Sequence, residues 1–537
     1  MFASTIGAEL VRTAARHSGV AAFHFHGRDI TFADWEASSR RFARALLARG
    51  LRKGDRLALL LPSIPDYMFL YLGAARIGVM TAGISTRYRR QEIRDILSNA
   101  DPRLVITVDR IGDVRFPSLI EEARPQAPSL EDVICFNREG PPTEAGPDLE
   151  RLLAAGDAAG VDLAGAEAAV GSRDPVAIVY TSGTTGSPKG AVYDSAAMIA
   201  LTQMFSTRLP QPPAPGTPNL WPGMSLTHVG AMARVHIQLA YATTMVLHER
   251  FDARWCLEQI QRLRPAALGG FPPVLMMLVR SPEFARFDFS FIKSINFGGA
   301  PLASHLVEEL ERQIGAQVYT GYSCTETIII SATLPSDPPE CRAGSVGRPT
   351  AGVDVRIVDD ERRPLPAGTP GRIAVRSPAT MRGYWRNPEA TARALGADGW
   401  LYTEDMGYLD ADGYLHLLGR EKEMYFRAAF NVYPGEVEEV LQTHPKVAQA
   451  AVLGIPDDVL GEKGWAVVVP TNAADPPTLE ELRQHVGREL ASYKRPDGLT
   501  LVEALPLNSM YKVDKRTLRA MLAAAGTENA RGRDTNP

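Results

Sequence analysis

The first chemistry in this sequence lies in a loop rich in hydroxyl groups and glycine, residues 180–190. It reads Tyr-Thr-Ser-Gly-Thr-Thr-Gly-Ser-Pro-Lys-Gly. Gly183 and Gly186 let the backbone approach an anion without an intervening Cβ, the hydroxyls donate hydrogen bonds, and Lys189 adds a positive charge. It is not a Walker A motif, because Pro188 directly precedes the lysine. The run predicts a phosphate-holding loop, and the alternative is an ordinary flexible surface loop.

The composition is that of a globular protein with no marked preference for nucleic acid. At 537 residues the chain is long enough for roughly three or four folding units. Its 58 Lys and Arg residues against 62 Asp and Glu residues give a net charge of −4. The four cysteines form no Cys-x-x-Cys pair, and no uncharged run reaches the length of a membrane span. We expect a cytoplasmic protein with buried thiols and no signal peptide, and its oligomeric state stays open.

The elements that must position the loop alternate between strand and helix. Thr31 and Asp34 form a capping-box pattern at the start of a helix that ends near Gly50. Strands are predicted over residues 56–61, 79–84, 104–108, 176–180, 244–247, 266–269, 294–297 and 317–320. This alternation indicates parallel α/β sheets with helices on their faces. Two further loops, 298–301 and 321–327, leave the carboxyl ends of strands, which is the edge where open α/β sheets bind ligands.

The remaining stretches predict changes of architecture along the chain. Residues 137–173 are rich in Ala, Gly, Pro and acidic residues and predict a poorly packed crossing between two lobes. Residues 343–418 show short alternating strands with Gly and Pro turns, which indicates a small β-rich unit. A mixed α+β segment follows to about residue 525, and the last dozen residues are expected to be disordered.

Eight segments with recognisable motifs follow one another in a fixed order. They are Tyr180 to Gly190, Gly298-Gly299-Ala300-Pro301, Tyr322 with Thr325-Glu326, Tyr402-Thr403-Glu404-Asp405, Gly419-Arg420, Asn431 to Glu436, Tyr493-Lys494 and Lys512. Together they resemble the AMP-forming adenylating superfamily of acyl-CoA synthetases, aryl-CoA ligases, non-ribosomal peptide adenylation domains and firefly luciferase. The resemblance runs from about Ile30 to about Leu522, nearly the whole chain.

The resemblance implies an α/β fold with two domains. The large N-terminal domain, residues 1–418, would consist of two α/β sheets and a small β-barrel. A small mobile α+β domain, residues 419–525, would carry the catalytic lysine, and residues 526–537 would form a disordered tail. The active site would lie in the cleft between the two domains.

The resemblance also implies which residues bind ATP and Mg²⁺. The loop residues Thr181, Ser182, Gly183, Thr184, Thr185, Gly186 and Lys189 would wrap the β- and γ-phosphates. Glu326, helped by the hydroxyl of Thr181, would hold Mg²⁺, a hard cation that prefers oxygen ligands. The nucleotide would otherwise contact Gly299, Ala300, Pro301 and Tyr322 around adenine, Asp405 at both ribose hydroxyls, Arg420 at ribose and phosphate, and Thr325.

Three further positions are implied to act in the reaction. Lys512 would contact the attacking carboxylate and the α-phosphate, where a flexible positive charge offsets the repulsion between two anions. His228 matches a position that gates the acyl pocket, and Lys422 matches the hinge about which the small domain turns. From the residues alone, each position has an alternative interpretation. Lys512 would be a solvated tail lysine, His228 a buried histidine with satisfied hydrogen bonds, and Lys422 an ordinary exposed lysine.

Four positions depart from the family pattern. Glu404 stands where glycine usually precedes the ribose-binding aspartate, and Ser323 replaces a glycine after Tyr322. Ala429 replaces a glycine in the loop that shapes the pantetheine tunnel, and Tyr511 replaces the glycine before the catalytic lysine. A side chain at residue 511 costs about 1–2 kcal/mol if the backbone keeps a φ that glycine supplies. The last two departures lie where CoA would enter or where the lysine loop must move, so the acceptor is the open half of the assignment.

These assignments predict an ATP- and Mg²⁺-dependent acid–CoA ligase. The acid and ATP would give an acyl-adenylate and pyrophosphate, and the CoA thiol, as probable co-substrate, would then displace AMP. The candidate pocket is mostly apolar and offers no partner for a charged substrate tail, which favours a medium-chain, alicyclic or aromatic acid. Its residues are His228, Val229, Phe271, Phe297, Ser323 and Ile328 to Ile330.

Two other hypotheses stay open. The first keeps the adenylation step and changes the acceptor, giving an amide-forming enzyme, a carrier-protein loader or a diazotase-like enzyme that activates nitrite towards an aryl amine. The second is a binding or regulatory protein on the same scaffold. The presence of Lys189, Glu326, Asp405, Arg420 and Lys512 argues against the second.

Overall fold

A computed structural model describes residues 3–137, 146–181, 188–206, 212–298, 304–427, 430–457, 459–508 and 511–531. In this part of the chain, helices cover the faces of two large, mostly parallel sheets, and smaller antiparallel sheets follow towards the C-terminus. The predicted mixed α/β class is confirmed.

The helices begin where the local sequence supplies caps. Thr31 and Asp34 form the predicted capping box, with the Asp34 amide donating to the Thr31 hydroxyl and the Thr31 amide donating to the Asp34 carboxylate. The helices of the described residues are α1 Ile6–Arg16, α2 Phe32–Ala48, α3 Pro65–Arg76, α4 Arg90–Ala100, α5 Phe116–Ala123, α6 Pro147–Ala158, α7 Leu163–Ala168, α8 Ser195–Ser206, α9 Val229–Tyr241, α10 Ala253–Leu263, α11 Pro272–Val279, α12 Ser304–Ile314, α13 Pro339–Gly344, α14 Pro388–Ala394, α15 Pro434–Gln442, α16 Leu479–Glu489 and α17 Lys515–Arg531.

The strands lie close to the bounds that the apolar runs predict. In chain order they are β1 Ala21–Phe25, β2 Arg28–Thr31, β3 Arg56–Leu60, β4 Met80–Gly83, β5 Leu104–Thr107, β6 Arg110–Ile111, β7 Val114–Arg115, β8 Asp132–Cys135, β9 Pro175–Tyr180, β10 Gly190–Asp194, β11 Pro218–Leu220, β12 Thr244–Val246, β13 Ala267–Gly270, β14 Ser294–Gly298, β15 Gln317–Tyr322, β16 Ser331–Ala332, β17 Arg348–Pro349, β18 Asp354–Val358, β19 Gly371–Arg376, β20 Leu401–Leu409, β21 Leu415–Arg420, β22 Tyr425–Arg427, β23 Phe430–Val432, β24 Val447–Asp457, β25 Gly461–Pro470 and β26 Gly498–Leu501.

The largest sheet places several strand ends at one edge. Its order is β17-β16-β15-β14-β13-β11-β12-β1-β2, and the pairings from β15 through β12 to β1 are parallel. Antiparallel pairings of β16, β17 and β2 extend it at the two sides. The carboxyl ends of β15, β14, β13, β11 and β12 therefore face the same way, which is the ligand edge of an open α/β sheet.

A second sheet carries the phosphate-loop candidate. Its order is β10-β9-β4-β3-β5-β8, with parallel pairings except that β10 runs antiparallel to β9. Strands β9 and β10 flank the loop, and Gly190 is paired with Tyr180 across them. The loop is thus the turn of a hairpin at the sheet edge.

Two smaller sheets follow, and their pairings are antiparallel except that β26 runs parallel to β25. The β-rich unit predicted for residues 343–418 takes the form of the sheet β18-β19-β20-β21, in which Asp405 and Arg420 face each other. The C-terminal sheet has the order β23-β22-β25-β24, with β26 added beside β25, and α15 and α16 pack on it.

The expectation for residues 137–173 is wrong where the structure describes them. Helix α6 buries Leu149, Leu152 and Leu153, so this stretch is packed against the N-terminal lobe. A Cβ on Gly156 would lie 2.5 Å from the Cα of Ala45 on α2, so the two helices meet with almost no side chain between them. The small residues that suggested a loop are here because the helices pack closely.

The C-terminal end of the described chain is helical. Helix α17 continues to Arg531, past residue 526 where the sequence predicts a disordered tail, and residues 532–537 lie outside the described part. No helix in the described ranges is long and apolar enough to cross a membrane.

Candidate active site

The predicted site residues that can be placed gather at the ligand edge of the largest sheet and on the β18–β21 sheet beside it. Tyr322 ends β15, Phe271 directly follows β13, and Thr181 directly follows β9 of the second sheet. Asp405 lies on β20 and Arg420 on the adjacent β21. Strand ends thus bring together residues that lie hundreds of positions apart in the chain.

Asp405 is held from two sides. The hydroxyl of Tyr322 donates to Oδ2 at 2.6 Å, and Nε of Arg420 lies 3.4 Å from Oδ1. Burial and the neighbouring carboxylate raise the pKa of Tyr322 well above its usual range, so this hydroxyl stays protonated and remains a donor. The two contacts fix the orientation of a carboxylate that still has lone pairs for two more donors.

Thr181 and Lys189 close the base of the phosphate-loop candidate. The amide of Thr181 donates to the carbonyl of Lys189 at 2.9 Å, and the amide of Lys189 lies 3.4 Å from the Thr181 hydroxyl oxygen. The ammonium of Lys189 lies 5.3 Å from the ring centroid of Tyr384, a cation–π contact. The contact with Tyr384 holds the Lys189 ammonium near the loop, where its charge would add to the backbone amides that bind phosphate.

Glu326 has a partner that the sequence analysis did not identify. The hydroxyl of Tyr384 donates to Glu326 Oε1 at 2.6 Å, and burial together with the Glu326 charge raises the pKa of Tyr384 far above its usual value. Tyr384 also lies against Lys189, so one phenol ring links the carboxylate proposed for the metal to the lysine proposed for the phosphates. Its only sequence signal is an aromatic residue after Gly383, which is too common to find it in advance.

Glu404, one of the departures from the family pattern, lies between two lysines. Its Oε1 is 2.8 Å from Nζ of Lys422 and 3.6 Å from Nζ of Lys189. Burial by itself would raise the pKa of Glu404, but the hydrogen bond from Lys422 and the charges of both lysines hold it below its usual value. Glu404 therefore carries a negative charge that connects the phosphate loop to the hinge candidate.

Lys512 lies near three of the candidate site residues, Arg420, Asp405 and Glu326, whose charges act on its ammonium. Burial lowers the pKa of its ammonium, and the charge of Arg420 lowers it further, whereas the charges of Asp405 and Glu326 act in the opposite direction. The backbone around it is closed by two hydrogen bonds, since its amide donates to Asn508 Oδ1 at 3.1 Å and its carbonyl accepts from the Asn508 amide at 2.8 Å. The solvated-tail alternative does not describe this lysine.

Tyr511 adopts the left-handed backbone conformation for which the sequence predicts a cost at this position. Its φ is +56°, in the left-handed region, where a side chain costs about 1–2 kcal/mol. Its ring packs with Phe271 and Val274 of the N-terminal lobe. Arg87 lies over the ring at 4.2 Å from its centroid and donates to the hydroxyl at 2.5 Å. The ring is thus directed into the mouth of the site.

His228 caps helix α9. Its Nδ1 accepts from the amide of Gly230 at 3.1 Å, and its ring meets Phe271 edge-on with centroids 5.9 Å apart. Burial, with a smaller contribution from the charge of Lys512, lowers the pKa of His228 to about 3. The half-buried imidazole is therefore neutral near pH 7, and it stands between the lysine and the apolar residues around Phe271.

Of the remaining predicted positions, Thr325 and Ser323 are described by the structure and the others lie outside the described residues. Thr325 is described, and its carbonyl accepts a hydrogen bond from the hydroxyl of Tyr193. Ser323 is exposed. The positions outside the described residues are Ser182, Gly183, Thr184, Thr185, Gly186, Gly299, Ala300, Pro301 and Ala429.

Comparison with known proteins agrees with this geometry. The model of the AMP-binding enzyme family matches residues 10–385, and that of the AMP-binding enzyme C-terminal domain matches residues 436–512. The protein 4-coumarate--CoA ligase-like 9 of Oryza sativa subsp. japonica is 33% identical over 515 residues, covering 92% of this chain and 88% of that protein. Fatty acid--[acyl-carrier-protein] ligase ScoC of Streptomyces coeruleorubidus is 31% identical over 504 residues, covering 92% of each.

A solved structure extends the comparison. Amide bond synthetase McbA from Marinactinospora thermotolerans superposes with a TM-score of 0.81 at 28% identity, covering 96% of this chain and 99% of that one. Both the family models and these relatives span the N-terminal and the C-terminal parts of the chain. The chain therefore belongs to the AMP-binding enzyme family of AMP-forming, acid-adenylating ligases.

Proposed function

We propose that this protein activates a carboxylic acid with ATP and transfers the acyl group to the thiol of CoA. In the first step, a carboxylate oxygen attacks the α-phosphorus and the bond to pyrophosphate breaks, which leaves an acyl-adenylate. In the second step, the CoA sulfur attacks the acyl carbon, its proton passes to solvent, and AMP leaves with the bonding electrons. AMP makes the acyl carbon a better electrophile than a free carboxylate.

The observation that carries the proposal is the position of Lys512 beside Asp405 and Arg420. An acid and the α-phosphate are both anions, so their approach needs positive charge that is fixed in place before the reaction. Lys512 and Arg420 supply two such charges, close enough that each acts on the groups around Asp405. A side chain that neutralises charge developing in the transition state is typically worth about 3–4 kcal/mol.

The nucleotide would be held by residues already oriented. Asp405 would accept the two ribose hydroxyls with its remaining lone pairs, and Tyr322 would form one wall of the adenine site. The loop 182–187 and residues 299–301 would complete the phosphate and adenine contacts. Lys189 would turn from Glu404 towards the triphosphate.

A magnesium ion fits the donor set around Glu326. The donors are a carboxylate and the hydroxyl of Thr181, both hard oxygen ligands, and Mg²⁺ usually takes one or two protein carboxylates plus phosphate oxygens and water. No cluster of three His, Cys, Asp or Glu side chains able to hold a metal alone occurs in the described ranges. The ion, when bound, would neutralise phosphate charge, and Tyr384 would orient Glu326 towards it.

The two domains of the proposal divide the work. We retain residues 1–418 as the adenylating domain and residues 419–525 as the mobile domain with Lys512. The salt bridge of Lys422 with Glu404 lies at this boundary. A turn of the small domain would bring Lys512 out and open a path for the acceptor.

The acceptor has a second candidate. The named relatives include a CoA ligase, an acyl-carrier-protein ligase and an amide bond synthetase, so this family carries the same activation to thiols and amines. Tyr511, which fills the mouth of the site, supports an acceptor other than CoA: an amine, a carrier protein, or an aryl amine in a diazotase-like reaction with nitrite.

The test is a mass-spectrometric assay with ATP, Mg²⁺ and a panel of fatty, alicyclic and aromatic acids, each with and without CoA. Acyl-CoA and AMP from wild-type protein, and neither above background from Lys512→Ala, are the expected result. Acyl-adenylate and pyrophosphate without thioester would move the acceptor away from CoA. An absence of ATP turnover with every acid would contradict acid activation and leave nitrite as the substrate to test.

A further inference from the structure

We propose that Glu404 couples the phosphate loop to the linker between the two domains, so that the departure of pyrophosphate loosens the linker for the second step. This inference rests on the proposed two-step reaction and adds a positioning residue that acts between the steps. It comes from a carboxylate oxygen that two lysines share, Lys189 of the phosphate loop and Lys422 of the linker.

The linker is the single helical turn Glu421–Glu423, which connects β21 of one sheet with β22 of the next. It is held from both sides. The ammonium of Lys422 donates to Oε1 of Glu404, on β20 of the large domain, at 2.8 Å. The next residue, Glu423, accepts from the ammonium of Lys515, on α17 of the small domain, at 2.8 Å. A turn of the small domain would therefore have its hinge between Lys422 and Glu423.

Strand pairing places Glu404 beside the linker. Asp405 of β20 lies opposite Arg420, the last residue of β21. Glu404 directly precedes Asp405, so its side chain reaches the residues that follow β21. The family pattern has a glycine at this position, and a glycine has no side chain to bind either lysine. The coupling therefore belongs to this chain and not to the family pattern.

The second lysine at Glu404 comes from the phosphate-loop candidate. The ammonium of Lys189 lies 3.6 Å from Oε1, the same oxygen that accepts from Lys422. Two ammonium groups at one carboxylate oxygen repel each other, so each of them weakens the hold of Glu404 on the other. The position of the Lys189 charge therefore sets how firmly Lys422 is bound.

Nucleotide binding changes this competition. A triphosphate carries more negative charge than one carboxylate, so it attracts Lys189 away from Glu404. Glu404 then holds Lys422 alone and fixes the linker in the present arrangement, which keeps Lys512 near the nucleotide-site residues. When pyrophosphate leaves, Lys189 returns to Glu404 and the hold on Lys422 weakens. The linker then turns more easily, at the stage when the acceptor must enter.

The first experiment measures hydrogen exchange of the backbone amides of residues 421–424 in the full-length protein by mass spectrometry. The probes are Mg²⁺ with α,β-methylene-ATP, a triphosphate that cannot release pyrophosphate, and Mg²⁺ with AMP. The side chains of Glu404 and Lys422 are 45% and 46% exposed. The triphosphate analogue should therefore slow exchange relative to AMP by about two- to fivefold, the range of a half-exposed ion pair.

Two variants with opposite expected signs separate coupling from a structural role. Glu404→Gln should exchange equally fast with both nucleotides. Lys189→Met removes the competing ammonium, so its linker should exchange more slowly than that of wild type without any nucleotide, which general loosening cannot produce. The control is Glu389→Gln, the same substitution at an exposed carboxylate of α14, which should behave as wild type. A triphosphate effect that persists in Glu404→Gln, or unchanged exchange in nucleotide-free Lys189→Met, would overturn the inference.

The second experiment follows the acceptor step in a single turnover from a supplied acyl-adenylate. Lys189→Met should slow this step about two- to fivefold, although no pyrophosphate takes part in it, because the linker stays bound to Glu404. The double variant Lys189→Met with Glu404→Gln should regain the wild-type rate. An unchanged rate in Lys189→Met, or a loss that Glu404→Gln does not relieve, would overturn the inference and leave the proposed function intact. The exchange measurement on nucleotide-free protein needs no acid or acceptor, so it decides the inference even if the proposed function fails.

Discussion

Arg87 of the N-terminal lobe stacks on the ring of Tyr511 and donates a hydrogen bond to its hydroxyl, and Tyr511 is the residue immediately before Lys512. The guanidinium lies 4.2 Å from the ring centroid, and Nη2 donates to the phenol oxygen at 2.5 Å. The Tyr511 backbone has a φ of +56°, a conformation that is strained for a residue with a side chain. The two contacts with Arg87 offset this strain. The two residues join the large lobe to the loop that carries Lys512, the proposed catalytic lysine.

Arg87→Ala should slow adenylation through Lys512 without touching the nucleotide. A charged hydrogen bond is worth about 1.5–3 kcal/mol, so its loss alone is expected to lower kcat for pyrophosphate release about 10- to 100-fold, and loss of the cation–π contact adds to this. Tyr511→Phe, which keeps the stacking and loses the hydrogen bond, should fall between this variant and wild type. The rates are measured with saturating ATP.

The control for the Arg87 prediction is Arg90→Ala, an exposed arginine of the same segment whose salt bridge is with Glu122. Its kinetics should match wild type. Equal rates of pyrophosphate release for Arg87→Ala and Arg90→Ala would show that the contacts of Arg87 with Tyr511 do not position Lys512.

Lys512→Ala should separate the two half-reactions. Loss of its charge is expected to slow acyl-adenylate formation about 100- to 1000-fold. A supplied acyl-adenylate should still react with the acceptor, because that step needs no neutralisation between two anions. Rapid-quench analysis of each half-reaction checks this division, and an equal loss in both would refute it.

The fall in the adenylation rate at high pH should follow the deprotonation of Lys512. Burial and the charge of Arg420 lower its pKa below the usual 10.5, and only the protonated form neutralises the reacting anions. The rate should therefore fall as pH rises through this lowered pKa, and be fully present below it. In Lys512→Arg the charge persists, so the residual rate should stay level to higher pH. Superimposable profiles of pyrophosphate release in the two proteins would contradict the assignment.

The contact of α6 with α2 predicts a large effect of one methyl group. In Gly156→Ala the new Cβ would meet the Ala45 backbone at 2.5 Å. Overpacking costs typically about 1–3 kcal/mol, more than the roughly 1 kcal/mol that alanine gains in helix propensity. We expect a net loss of up to about 2 kcal/mol in the free energy of unfolding by urea. Gly160→Ala, with nothing within 4 Å of the new Cβ, should change it by less than about 0.5 kcal/mol.

Much of the fold follows from patterns that act over short distances. The predicted strands 56–61, 104–108, 294–297 and 317–320 agree closely with β3, β5, β14 and β15, because buried parallel strands need continuous apolar runs. The capping box of α2 likewise depends on two residues three positions apart. Helix α6 was missed because its small residues suit a loop as well as a tight helix contact, and only the position of Ala45 distinguishes these.

The sequence by itself determined the order of the motifs and with it the family, and it predicts the nucleotide-site residues and the role of the lysine before α17. Only the tertiary structure decided which side chains join them. Tyr384 at Glu326 and Arg87 at Tyr511 carry no motif of their own. Their contacts depend on the order of strands in a sheet and on how two lobes meet, which bring together residues up to 424 positions apart. Such distances leave no local periodicity for a sequence pattern to show.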